Sequence, residues 1–154
     1  MKQYIKVILI CVLIFLAYLF IRYMYSHHYT SSIITDTKSV TWSGAQELES
    51  EKIETGTIAI PGTTKLILGA NRLSQKVNIY NPAENSCLMV FTLFANGKVL
   101  WKSGYCKPGD GYYEIELSKE LTAGTYDGSI LHECYDLNGN KLNSANVQVI
   151  IIAQ

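Results

Sequence analysis

Cys87-Leu88-Met89-Val90-Phe91-Thr92-Leu93-Phe94, followed by Ala95-Asn96-Gly97-Lys98 and then Val99-Leu100-Trp101-Lys102, decides the fold class of this chain. The first eight residues are apolar almost throughout and too few for a typical helix. They read as a central strand buried on both faces. Asn-Gly is the strongest short hairpin signal, because both residues tolerate the positive φ that a two-residue turn requires. Residues 99–102 are then the returning strand.

Similar short runs flank this hairpin. Thr57-Ile58-Ala59-Ile60 stops at Pro61-Gly62, Lys65-Leu66-Ile67-Leu68 stops at Gly69, and residues 75–80 alternate as far as Asn81-Pro82. On the C-terminal side, Tyr113, Ile115 and Leu117 are expected on one face of a strand, with Glu114 and Glu116 on the other. A long strand opens at Gly124-Thr125-Tyr126 and reaches Tyr135. Asn138-Gly139 supplies a second turn, and residues 146–153 close the chain. Seven or eight strands with turn signals between them predict an all-β, immunoglobulin-like antiparallel sandwich over residues 57–154.

Residues 1–25 have a different character. Positions 7–21 carry no charge and are apolar, and Tyr4, Ile5, Tyr23, Met24 and Tyr25 extend the run. The expectation is one N-terminal transmembrane helix acting as an uncleaved signal-anchor, with Lys6 and Arg22 snorkelling. The competing reading, a cleaved signal peptide, lacks a small-residue cleavage site after Arg22. Lys2 and Lys6 precede the span, so the positive-inside rule places the N-terminus in the cytoplasm and the domain outside the cell membrane. Residues 26–56 read as a stalk, first Ser/Thr-rich and then acidic through Glu47, Glu49, Glu51 and Glu54. Trp42 stands out there, with the lipid interface and the domain surface as alternative resting places.

The formal net charge is zero, which gives the chain no electrostatic footprint for nucleic acid. Cys87, Cys106 and Cys134 lie in the expected domain and allow three pairings, or three reduced buried thiols. Two of them, Cys87 and Cys134, fall within predicted strands that can face each other. No C-x-x-C spacing is present for zinc or thioredoxin-type chemistry.

Catalytic signals are weak. His132 and Cys134 are two apart on one strand, a separation of about 7 Å that is too long for a nucleophile–base contact. Asp136, Asn138 and Asn140 resemble the start of a calcium loop, but a hairpin turn explains the same residues. His27-His28 is a polar flank more readily than a metal site. No phosphate loop, nucleophile elbow or H-E-x-x-H occurs. No catalytic residue, cofactor or metal is therefore expected. Among the eleven tyrosines, Tyr105, Tyr112 and Tyr113 surround Pro108-Gly109-Asp110-Gly111, where loop aromatics can stack on sugars, anchor a protein, or merely seal the core.

Leu121-Thr122-Ala123-Gly124-Thr125-Tyr126 resembles the strand entry of bacterial immunoglobulin-like and fibronectin-like modules, in which the tyrosine anchors a sandwich corner. Residues 96–103 also resemble a hairpin of these modules. Ile58-Ala59-Ile60-Pro61-Gly62, residues 77–82, Asn85-Ser86-Cys87 and Glu133-Cys134 are similar to a group of uncharacterised small single-pass exported proteins of Gram-positive bacteria. That resemblance covers about residues 57–154 and implies topology and fold rather than activity. Cys106 lies outside its pattern, which favours a Cys87–Cys134 disulfide.

The sequence thus predicts a non-enzymatic, membrane-anchored extracytoplasmic binding module, accessory to a cell-envelope system and partnered by another envelope protein. Glycan binding through the tyrosines is the alternative. A thiol-dependent enzyme using Cys106 is the third.

Overall fold

The computed structural model describes residues 2–27, 33–44 and 58–154. The chain divides into two compact units, Met1–Ser32 and Ile33–Gln154.

The first unit holds a single helix, α1 (Lys2–His27). Among the described residues, no helix is long and apolar enough to cross a membrane. The charge-free run at positions 7–21 rises only about 23 Å at 1.5 Å per residue, against a hydrocarbon core of about 30 Å. Closing that gap would draw Lys6 and Arg22 toward the lipid. The expected transmembrane signal-anchor is corrected accordingly. The membrane partner, the single-pass topology, the cytoplasmic N-terminus and the extracytoplasmic domain rested on that span and go with it.

The second unit is β-stranded. Its strands are β1 (Val40–Thr41), β2 (Lys65–Leu68), β3 (Ser74–Tyr80), β4 (Leu88–Ala95), β5 (Lys98–Lys102), β6 (Asp110–Glu116), β7 (Gly124–Tyr135) and β8 (Lys141–Ala153). They form two sheets, β1-β6-β3 and β2-β8-β7-β4-β5. Met89, Phe91, Leu93, Ile130, Val149 and Ile151 from the larger sheet and Val77, Ile79, Tyr112 and Ile115 from the smaller belong to one buried core, giving a β-sandwich-like arrangement. The β4–β5 turn is the expected one, with positive φ at both Asn96 and Gly97.

The fully antiparallel expectation is corrected at one edge. β2 runs parallel to β8, Lys65 to Leu68 facing Ile150 to Ala153. Nearly the whole domain lies between these strands in sequence, long enough for the crossover that parallel pairing requires.

Three local expectations also change. Residues 58–60 are not a strand; Ala59 is held instead by the Asn85 amide, which accepts from its N–H at 2.8 Å and donates to its carbonyl at 2.9 Å. Part of the segment read as a stalk folds with the sandwich. There β1 pairs with β6, and Trp42 stacks on Tyr80 at 3.8 Å while its indole donates to Asn78 at 2.6 Å. Lastly, the β3–β6 register shifts between Lys76 and Ile79. Two residues of β3 there oppose Tyr113 alone, a bulge that reverses which side chains face inward. Tyr112 is buried and Tyr113 exposed, the opposite of simple alternation with Ile115 and Leu117. The acidic residues Glu47, Glu49, Glu51 and Glu54, and His28 of the histidine pair, lie outside the described residues.

Candidate functional site: a groove between two strand edges

β5 ends the five-stranded sheet, so one of its sides has no strand neighbour among the described residues. β6 has a similar free stretch, because β1 pairs with it only at Asp110 and Gly111. Between these edges runs a groove of about 800 Å³, lined by residues that include Leu100, Trp101, Ile115 and Leu117 at its apolar base and Asp36, Lys38, Lys102, Glu114 and Glu116 around it. A register shift in β5 adds one residue between the partners of Leu93 and Phe94. Both Leu100 and Trp101 border the groove as a result, with the Trp101 ring edge-on to Tyr112 at 5.0 Å.

One end of the groove is built by Asp36. Its carboxylate accepts from Gly104 N–H, Lys38 N–H and the Tyr112 hydroxyl, each at 2.9 Å. Its own N–H donates to the Tyr105 carbonyl at 2.8 Å. Burial alone would raise the Asp36 pKa, but these hydrogen bonds and the Lys38 charge outweigh it and hold the carboxyl below its ordinary value. At the other end, Ser118 N–H donates to the Leu100 carbonyl at 2.7 Å. Among the described residues no backbone hydrogen bond crosses the middle of the groove.

Charge is unevenly spread along it. Lys38 and Lys102 stand toward the Asp36 end. Glu114 and Glu116 stand on β6, and neither belongs to an ion pair among the described residues. Glu114 accepts a hydrogen bond from the Ser74 hydroxyl.

The three tyrosines expected to form a binding loop are not brought together. Tyr112 is in the core, and burial followed by its bond to Asp36 pushes its pKa up. Tyr113 accepts from Ser43 N–H at 2.8 Å, and Tyr105 packs edge-on against Tyr135 at 5.2 Å. Only Tyr112 borders the groove.

Nor do the candidate chemical groups converge. Cys106 is fully buried, its thiol donating toward the Asp110 carbonyl at 3.3 Å. Burial, then the nearby Asp110 charge, raises its pKa to about 12. Cys87 and Cys134 are free thiols, both buried. Burial, followed by the neighbouring Cys87 thiol, raises the Cys134 pKa to about 12. His132 is buried edge-on to Phe91 at 5.3 Å, Nδ1 lies 3.1 Å from the Ile130 carbonyl, and burial lowers its pKa. Asp136 is occupied by its own turn, accepting from Asn138 and Asn140. No group of three metal-binding side chains occurs among the described residues.

Sequence reasoning passed over Asp36, Trp101, Lys102, Glu114 and Glu116 as members of a site. The alternation of Glu114 and Glu116 with Ile115 and Leu117 was a usable signal, but it marks a solvated face as well as a binding edge. Asp36 looks like any residue opening a turn until the fold sets it against Gly104.

No protein-family model, curated protein or solved structure matches the chain. The resemblance to single-pass exported proteins therefore gains no support, and neither does its immunoglobulin-like or fibronectin-like label. With no helix among the described residues long and apolar enough to cross a membrane, that identification is corrected to a largely β-stranded domain.

Proposed function

We propose that the domain is a binding module without chemistry of its own, and that its ligand is a segment of another protein held in the β5–β6 groove. One observation carries this reading: an apolar-based groove of about 800 Å³ lies between two strand edges that have no strand partner among the described residues. Exposed edges invite pairing, and proteins ordinarily cover or charge them. The sequestration of Cys106, Cys134 and His132 supports a role other than catalysis, since a nucleophile needs a low pKa and access.

The reading is tested with a random peptide library displayed on phage and selected against the folded domain. Selected peptides should lose most of their affinity for Trp101→Ala, measured by calorimetry, because aromatic anchors dominate such contacts. If they bind Trp101→Ala and wild type equally, the groove is not the site. Retention of Trp101-dependent oligosaccharides in place of peptides would shift the assignment to glycan binding.

A further inference from the structure

Resting on the groove reading, we infer that the ligand is an extended segment that adds to the smaller sheet as a new strand beside β6, with apolar residues turned inward and basic residues turned outward.

The backbone supplies the first argument. Leu117 N–H donates to the Leu73 carbonyl. Hydrogen-bonded pairs recur at every second residue of an antiparallel ladder, so Ile115 bonds with its partner Gln75. The N–H and C=O groups of Glu114 and Glu116 must then point away from β3, toward the groove. No backbone partner takes them up among the described residues. β1 would continue along this edge, but the turn at Asp36, closed by Ser39 N–H to the Asp36 carbonyl, diverts it after Gly111. The smaller sheet thus stops one strand short, beside a larger sheet whose β5 residues Leu100 and Trp101 form the groove base.

The side chains supply the second. A strand laid beside β6 presents alternate residues to opposite faces. Its inward residues meet Leu100, Trp101, Ile115 and Leu117. Its outward residues sit beside Glu114 and Glu116, whose carboxylates form no ion pair among the described residues, although Lys76 of β3 stands opposite Glu114. Opposite charges across neighbouring strands stabilise pairing and like charges oppose it. Charge complementarity therefore selects lysine or arginine at outward positions and rejects aspartate or glutamate.

The probe is a synthetic peptide of alternating valine and lysine, six residues long with blocked termini, titrated into the folded domain. It should bind and slow amide hydrogen exchange at Glu114 and Glu116. An alternating valine–glutamate peptide should bind at least tenfold more weakly. A double Glu114→Gln, Glu116→Gln variant should lose about fivefold in affinity for the lysine peptide. N-methylation at alternate peptide bonds, which removes donors from one edge only, should abolish binding in one phase and spare it in the other. If N-methylation is harmless in both phases while Trp101→Ala still abolishes binding, strand addition is wrong although the groove reading stands. If Trp101→Ala is harmless as well, both fall. Equal binding of the lysine and glutamate peptides overturns the charge assignment.

Discussion

Two asparagines do what secondary structure does elsewhere in this domain. Asn81 is fully buried and donates to the carbonyls of Cys87 at 2.9 Å and Cys106 at 3.0 Å, so one amide joins two chain segments. Asn85 donates to the Asn81 side chain and serves both backbone groups of Ala59. Truncating Asn85 leaves those groups buried without partners, at about 1–3 kcal/mol per orphan. Asn85→Ala should therefore destabilise by about 3 kcal/mol in urea unfolding, far more than removing an exposed asparagine such as Asn143. The buried thiols give a second residue-scale test. With pKa values of about 12, Cys106 and Cys134 hold almost no thiolate at pH 8. Iodoacetamide should leave both unmodified in the native protein, by mass spectrometry, and alkylate them within minutes in denaturant.

Individual elements were legible where one local rule governed them. The Asn96-Gly97 hairpin is an example: the two side-chain types that tolerate positive φ occur together, and no distant residue can overrule them. Asn96→Ala with Gly97→Ala should cost about 2 kcal/mol in thermal unfolding, near 1 kcal/mol for each residue forced into the left-handed region. The strands from β2 to β8 were likewise visible in their apolar runs. What the sequence concealed was long-range. Residues 58–60 have strand composition, yet a side-chain amide from Asn85 replaces the expected ladder. β1 lies in a Ser/Thr-rich stretch whose composition says nothing of pairing with β6. The inward turn of Tyr112 depends on a bulge in β3, some thirty residues away, and no local pattern in β6 reports it. The groove belongs to the same class, since it exists only because β1 leaves β6 early. The first helix shows the converse error. Its composition was read for a length that its charge-free run does not reach.

Across the whole molecule, buried titratable groups set the pH range in which the sandwich is most stable. His132 has a folded pKa lowered by burial from an ordinary 6.5. The unfolded chain therefore binds a proton there before the folded one does, and stability falls as pH drops below about 6.5. Two carboxylates act in the same direction at lower pH. Glu133 is lowered first by its bond to Lys141 at 2.6 Å, and Asp36 by the hydrogen bonds at the groove's end. Each contributes stability above its unfolded pKa, near 4, and loses it as pH falls through the folded value. The thiols act at the alkaline side. Cys106 and Cys134 ionise near 9 when unfolded but only near 12 when folded, so unfolding gains thiolate and stability declines above about pH 9. Thermal midpoints should accordingly form a plateau between about pH 7 and 8.5 and decline on both sides. His132→Phe keeps an aromatic ring against Phe91 and removes the titration, so it should flatten the decline between pH 7 and 5 while leaving the alkaline limb in place. Cys106→Ala should do the reverse. A His132→Phe protein whose midpoint still falls as steeply from pH 7 to 5 as wild type would place the acid sensitivity in the carboxylates alone, and the buried imidazole would have no part in it.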